Sequence, residues 1–285
     1  MDRKDSTNRL AILKRRGQHI LLWTFVGIVI FFTLFPVGYI FCMSLMTELQ
    51  AMSSQPTLFF IPTMENYREL FEENDFLQYF INSVVIATTC VILSIGLGAP
   101  FAYAMSRSKQ RWVGPAMVFV MILRVIPPIS ILIPVFGVYT QFKMNDTFIG
   151  VIALYMTFSL PLAIWLLKGA FDGLPDGIEE AARIDGCSVW KTFIKVSIPI
   201  VMESVAAAAI LIWVNAWNEY LYAMIVTRNK MKTITVVINS FMRFDKTEYG
   251  LIAAAAVIIS APVLILGILA RKYLVSGMTN GAVKE

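Results

Sequence analysis

The sequence predicts an all-α membrane protein with six transmembrane helices, and three observations lead there. Of its 285 residues 58% are hydrophobic and only 15% charged, whereas an average soluble domain carries about 25% charged residues. The apolar residues stand in long blocks rather than at amphipathic spacing. Runs such as Leu251–Ile259 also fail to alternate polar with apolar, as strands of a membrane barrel would. Backbone groups surrounded by lipid must bond within their own segment or within a closed barrel. Helix is therefore the structure these blocks can adopt.

A bilayer core takes about 20 residues of helix, and six blocks reach that length, near Ile20–Met43, Tyr79–Met105, Val113–Tyr139, Thr147–Leu167, Ile200–Val226 and Tyr249–Val275. The first is too long for a signal-peptide core and no small-residue cleavage site follows it, so it reads as an uncleaved helix. Pro161 and Glu219 interrupt the fourth and fifth. The connection Thr47–Gln78 contains Pro56, Pro62 and an amphipathic stretch, Met64–Phe71, which ends in Glu72, Glu73 and Asp75. Residues 1–285 are expected to form one transmembrane domain, with polar segments at 1–19, 168–199 and 276–285.

The basic residues set an orientation, because Lys and Arg accumulate in cytoplasmic connections. One side holds Arg3, Lys4, Arg9, Lys14, Arg15, Arg16, Arg107, Lys109, Arg111, Arg183, Lys191, Lys195, Arg271, Lys272 and Lys284. The other holds Arg68, Lys143, Arg228, Lys230, Lys232, Arg243 and Lys246, so the balance is about fifteen against seven. Both termini and the 168–199 loop are expected in the cytoplasm. The net charge of +5 does not point to nucleic acid, because no basic cluster is interleaved with aromatics on a polar segment. Cys42, Cys90 and Cys187 have no metal-ligand or disulfide-framework spacing, and His19 is the sole histidine. No catalytic residue and no metal site is expected.

The 168–199 loop carries the most local information. Pro175 before Asp176 suits a helix start, with acidic groups in the first turn. Gly186 can stop that helix through a left-handed turn. Ser188 can cap a second helix with Val189, Phe193 and Val196 on one face, and Pro199 restrains entry to the next span. The small pair Ala181–Ala182 admits close approach of another protein, with Glu180 and Arg183 at its rim. Such a corner suits docking rather than catalysis.

Glu180-Ala181-Ala182, three residues, Gly186, nine residues, then Val196-x-Ile198-Pro199 resembles the signature loop of permeases in binding-protein-dependent ABC importers. The family pattern prefers Ile and Leu where Val196 and Ile198 stand. Ile184-Asp185-Gly186 is the form typical of the carbohydrate-uptake branch. Phe60-Ile-Pro-Thr-Met-Glu-Asn-Tyr67, Asn82-Ser83, Ala102-Tyr-Ala-Met-Ser-Arg107, Pro127-Pro128 with Pro134, and Trp217-Asn-Glu219 resemble further parts of that branch. Gly277-Met-Thr-Asn-Gly-Ala-Val-Lys284 is similar to the tail of the smaller permease in maltose-type transporters.

The resemblance implies the type I ABC importer permease fold, with a cytoplasmic coupling helix, in a bacterial or archaeal inner membrane. It implies as partners a second permease, an ATPase homodimer or two paired ATPase subunits, and an extracytoplasmic substrate-binding protein. ATP and Mg would sit on the ATPase, and this chain would bind no cofactor. Glu179, Glu180, Ala181, Ala182, Arg183, Asp185 and Gly186 would couple to the ATPase, and Gly281, Ala282, Val283 and Lys284 would reach into its interface. The cargo implied is a sugar or polyol.

Arg124, inside the third span, either lines the solute path or bonds a carbonyl freed near Pro127–Pro128. Asn218 and Glu219 either face the path at its outer gate or anchor the span at the membrane interface. The alternative class is a stand-alone secondary transporter or channel for a small solute. Against it stand the absence of a visible inverted repeat and the near absence of charges deep in the spans.

Overall fold

The computed structural model describes residues 3–53, 59–72, 75–242 and 247–279. Among them the regular structure is helical: α1 (Arg3–Ser44), α2 (Glu48–Ala51), α3 (Glu65–Glu72), α4 (Phe76–Arg107), α5 (Val113–Val125), α6 (Pro128–Gln141), α7 (Phe148–Asp172), α8 (Asp176–Ile184), α9 (Val189–Thr192), α10 (Ile198–Ile200), α11 (Met202–Trp217), α12 (Leu221–Val226), α13 (Ile234–Val237) and α14 (Tyr249–Thr279). A π turn at Phe193–Ser197 joins α9 to α10, and a 3-10 turn at Ile238–Phe241 follows α13.

Among the described residues four helices are long and apolar enough to cross a membrane: residues 18–44 of α1, then α4, α7, and residues 249–270 of α14. The count reaches six only if each of two bent pairs is one span. The third expected span is α5 and α6, which meet at 85°. Ile126 and Pro127 are extended there, as residues preceding proline favour. The fifth also departs from a straight helix. It bends by 78° between residues 189–200 and α11, then stops at Trp217 and resumes as α12, with Glu219 in the gap. Pro161, by contrast, leaves α7 unbroken from Phe148 to Asp172. A proline deletes one ladder bond, and α7 is the best buried of these four spans, so its neighbours support it through the gap.

The chain packs as two compact units, Met1–Leu70 with Glu248–Val257 and Phe71–Thr247 with Ile258–Glu285. In the first unit, buried Asn66 donates to the carbonyls of Ser44 (2.9 Å) and Met46 (2.7 Å), closing the end of α1. The Glu48 carboxylate accepts from the Tyr249 and Gly250 amides (3.0 and 3.1 Å), two of the orphan donors that begin α14. The apolar side chains of α1 from Ile20 to Phe41 are largely exposed, as suits a lipid-facing helix.

The second unit is built on α4 against α7, with α11 packed on both. Tyr139, Val151, Tyr155, Ala216, Tyr222 and Val226 share one core cluster. Ala102, Tyr103, Leu167, Phe171 and Phe193 share another at the opposite end of α4. The irregular stretch after α12 is held by side chains. Asp146 accepts from the amides of Arg228 (3.0 Å), Asn229 (3.2 Å), Lys230 (3.0 Å) and Met231 (2.9 Å). Burial alone would raise the Asp146 carboxyl, but these four bonds outweigh it and hold it low. Asn82 donates to the Lys230 and Lys232 carbonyls, and Ser83 accepts from the Ile234 amide at 2.8 Å.

The start of α7 leaves no space at Gly150, where an added Cβ would lie 2.1 Å from the Met144 carbonyl oxygen. Gly150→Ala is expected to destabilise the detergent-solubilised protein by about 1–3 kcal/mol, as overpacking does. Gly96→Ala, whose Cβ meets nothing within 4 Å, should leave it unchanged or slightly stabilised. Thermal unfolding of both variants checks the pair, and equal midpoints would contradict the close approach at Gly150.

Candidate functional site

The 168–199 loop folds as the corner its residues encode. Helix α8 starts after Pro175 and carries Asp176 and Glu179 in its first turn. It ends in a Schellman turn. The Gly186 amide donates to the Arg183 carbonyl and the Cys187 amide to the Ala182 carbonyl, both at 3.0 Å. This pattern needs a left-handed residue, and Gly186 stands at φ +84°. Ser188 then caps α9, its hydroxyl accepting from the Lys191 amide.

One face differs from expectation. Val189, Phe193 and Val196 do not line up: Val189 is exposed, Val196 half-buried, and the inward residues are Thr192, Phe193 and Ser197. The π turn at 193–197 has more residues per turn than the α-helix the spacing assumed, so the buried stripe shifts register. Val189, Trp190 and Ile194, with Ile178 and Ile184, are left as exposed apolar groups around the corner.

Of the residues expected to couple, Glu180, Ala181, Arg183, Asp185 and Gly186 are exposed and Ala182 is half-buried. Glu179 turns the other way and is 3% exposed. Its Oε2 accepts from Arg107 Nε (2.8 Å) and the Tyr103 hydroxyl (3.0 Å), and its Oε1 from Arg107 Nη2 (2.9 Å) and Ser197 Oγ (2.8 Å). Burial alone would raise the Glu179 carboxyl. The bonds from Arg107, Ser197 and Tyr103, with the guanidinium charge, outweigh burial and hold it below its ordinary value of 4.5. Glu179 therefore joins α8 to α4 and to the π turn within this chain, and Glu180 is the carboxylate left on the surface. Tyr103 and Arg107, four residues apart on one helix face, were visible in the sequence as a pair but had no partner there to reveal their use.

A second feature lies where the spans break. Arg124, Thr157, Asn215, Glu219, Phe158 and Tyr222 are among the residues lining a cavity of about 430 Å³. Arg124 and Glu219 thus come to one cavity from separate helices. Asn218 is exposed and is not part of the lining; Asn215, one turn earlier on α11, takes that place. Glu219 also has a local task, since its Oε1 accepts from the Tyr222 amide at 3.0 Å, at the start of α12. Phe158 and Tyr222 are stacked with centroids 5.9 Å apart and planes 10° apart, giving the wall an aromatic face. Thr157, Phe158 and Tyr222 were missed because an apolar block gives no sign of which ring or hydroxyl faces a cavity. Gly281, Ala282, Val283 and Lys284 lie outside the described residues.

Residues 94–280 match the family of binding-protein-dependent transport system inner membrane components. The chain belongs to that family. It is 34% identical to a probable ABC transporter permease protein of Sinorhizobium fredii, over 94% of this chain and 97% of that one. It is also 34% identical to the trehalose transport system permease protein SugB of Mycobacterium tuberculosis, over 90% and 94% of the two chains. Its fold matches a chain of a bacterial ABC transporter involved in the import of the acidic polysaccharide alginate, with a TM-score of 0.77 at 22% identity, covering 91% and 97%. The chain is thus a multi-pass inner-membrane permease subunit of an ABC transporter, and the stand-alone class set beside it is set aside.

Two outcomes test the corner. Because the folded Glu179 carboxyl titrates below its unfolded value, its contribution is complete above about pH 4.5 and is lost as pH falls through the lowered value. Amide protection factors over 176–200, taken against the intrinsic exchange rate at each pH, should therefore fall on acidification below pH 4.5, and Glu179→Gln should remove that dependence. Gly186→Val should raise exchange at 182–187 even at neutral pH, since the left-handed conformation costs a residue with a Cβ roughly 1–2 kcal/mol. Unaltered protection in that variant would contradict the Schellman turn.

Proposed function

We propose that this chain is one of two membrane-spanning subunits of an ATP-driven importer for a sugar or polyol. The observation that carries the docking half is the α8 corner, where small and apolar groups (Ala181, Ile184, Trp190) lie exposed beside Glu180 and Arg183. Exposed apolar groups rimmed by charge mark a protein contact. In this reading the corner seats in an ATPase, which supplies ATP, Mg and the hydrolytic residues, while this chain binds no cofactor. In this reading both termini and the corner face the cytoplasm, the side on which Lys and Arg accumulate. The tail Gly281–Lys284 reaches toward the same ATPase.

The cavity supports the cargo class. Sugars are bound by aromatic faces against their C–H surfaces and by a few placed polar groups against their hydroxyls. Phe158 and Tyr222 supply the first; Arg124, Thr157, Asn215 and Glu219 supply the second. The match to a trehalose permease relative points the same way. A second permease completes the path, and an extracytoplasmic binding protein delivers the solute.

Affinity purification of the tagged chain from its native membrane should recover a second permease and an ATPase. Glu180→Lys should reduce the recovered ATPase and leave the second permease in place. Recovery of the chain alone, active for solute movement after reconstitution, would overturn the reading. Equal ATPase recovery from the Lys variant would remove Glu180 from the contact.

A further inference from the structure

Along α8 the sole buried residue is Glu179, and its carboxylate, with the longer Arg107–Asp176 ion pair (3.8 Å) beside it, fastens the exposed docking helix to α4. That carboxylate meets Arg107, the last residue of α4, through two parallel N–H···O bonds of 2.8 and 2.9 Å. A forked pair of this kind fixes direction as well as distance. Arg107 also donates to the Leu174 carbonyl just before α8, and neighbouring Ser106 donates to Asp172 at the end of α7 (2.6 Å). The far end of α4 is engaged as firmly. Asn82 bonds the Lys230 and Lys232 carbonyls, and Ser83 receives the Ile234 amide. Between Asn82 and Arg107 the helix runs unbroken through Pro100, a length of roughly 38 Å at 1.5 Å per residue.

We infer that the Arg107–Glu179 pair is the joint through which movement of α8 is handed to α4, and that α4 carries it to the 227–234 loop at its other end. The inference rests on the reading of the corner as an ATPase-docking surface. Arg107 and Glu179 act here as positioning residues, through the helices they join. A mere space-filling contact would behave differently when replaced by apolar groups. Exchanging a buried ion pair for hydrophobic side chains of similar volume commonly preserves stability, but it removes the directional fork.

The test uses the assembled transporter with its three native cysteines, Cys42, Cys90 and Cys187, replaced. Nitroxides are placed at Ala104→Cys on exposed α4 surface and at Gly177→Cys on α8, where an added Cβ meets nothing within 4 Å. Pulsed electron–electron resonance is recorded without nucleotide and with ATP and vanadate. In a parallel sample, exposed Asn229→Cys reports the far loop through its rate of reaction with a charged maleimide.

In the parent the label distance should stay constant between the two states while the Asn229→Cys rate changes. In Arg107→Met/Glu179→Leu the distance should shift or broaden with nucleotide and the Asn229→Cys response should be lost, with ATP hydrolysis continuing. If that variant does not assemble, Glu179→Gln, which keeps the side-chain volume, is read by the same two signals. A constant distance and an intact far-loop response in the assembled variant would overturn the joint. If the parent chain recovers no ATPase, the docking reading itself falls, and the joint with it.

Discussion

Backbone polar groups in an apolar medium must find partners within the protein, and the irregular parts of this chain are arranged around that requirement. At several places where a span breaks or ends, a polar side chain beside it closes the opened bonds. Asn66 takes the carbonyls left at the end of α1, and Glu48 takes the first amides of α14. Asp146 takes four consecutive amides of the 228–231 turn. Thr235 donates to the Glu219 carbonyl in the gap between α11 and α12 (2.8 Å). These few polar residues permit bent spans, and bent spans create the cavity that straight helices packed side by side would fill.

The same requirement shapes the corner. Two adjacent glutamates divide the work because successive helix residues point about 100° apart. Glu179 faces inward, where its charge is offset by Arg107 and its lone pairs by Tyr103 and Ser197. Glu180 faces outward, where solvent or a partner's cation meets it. A buried carboxylate without such partners would be neutralised or expelled. The fixity of the corner thus follows from the donors that α4 and the π turn bring to it.

Much of this was legible in the residues. Helical class, the approximate positions of the apolar blocks, the start of α8 after Pro175, the turn at Gly186 and the cap at Ser188 all follow from local chemistry, which neighbouring residues in sequence decide. Other elements were not. Pro161 looked like an interruption, yet α7 runs through it because burial on several sides supports the helix. The stripe Val189–Phe193–Val196 assumed an α-helical period, and the π turn replaced it. Asn218 adjoins Glu219 in sequence, but the cavity takes Asn215, one turn earlier on α11.

By itself the sequence determined that the chain is helical and membrane-spanning, that Glu219 interrupts its fifth span, and that residues 176–199 form a capped corner. These are set by composition, proline and glycine conformations and short-range capping, none of which depends on distant parts of the chain. Only the tertiary structure decided that Glu179 belongs to Arg107, 72 positions away, that Asp146 holds the 228–231 turn, and that Arg124, Asn215 and Glu219 share one cavity. The reason is that long apolar blocks carry nearly uniform hydrophobicity. Uniform blocks fix which segments leave water but not which faces meet, and side-chain packing and hydrogen-bond geometry settle that after the helices have formed.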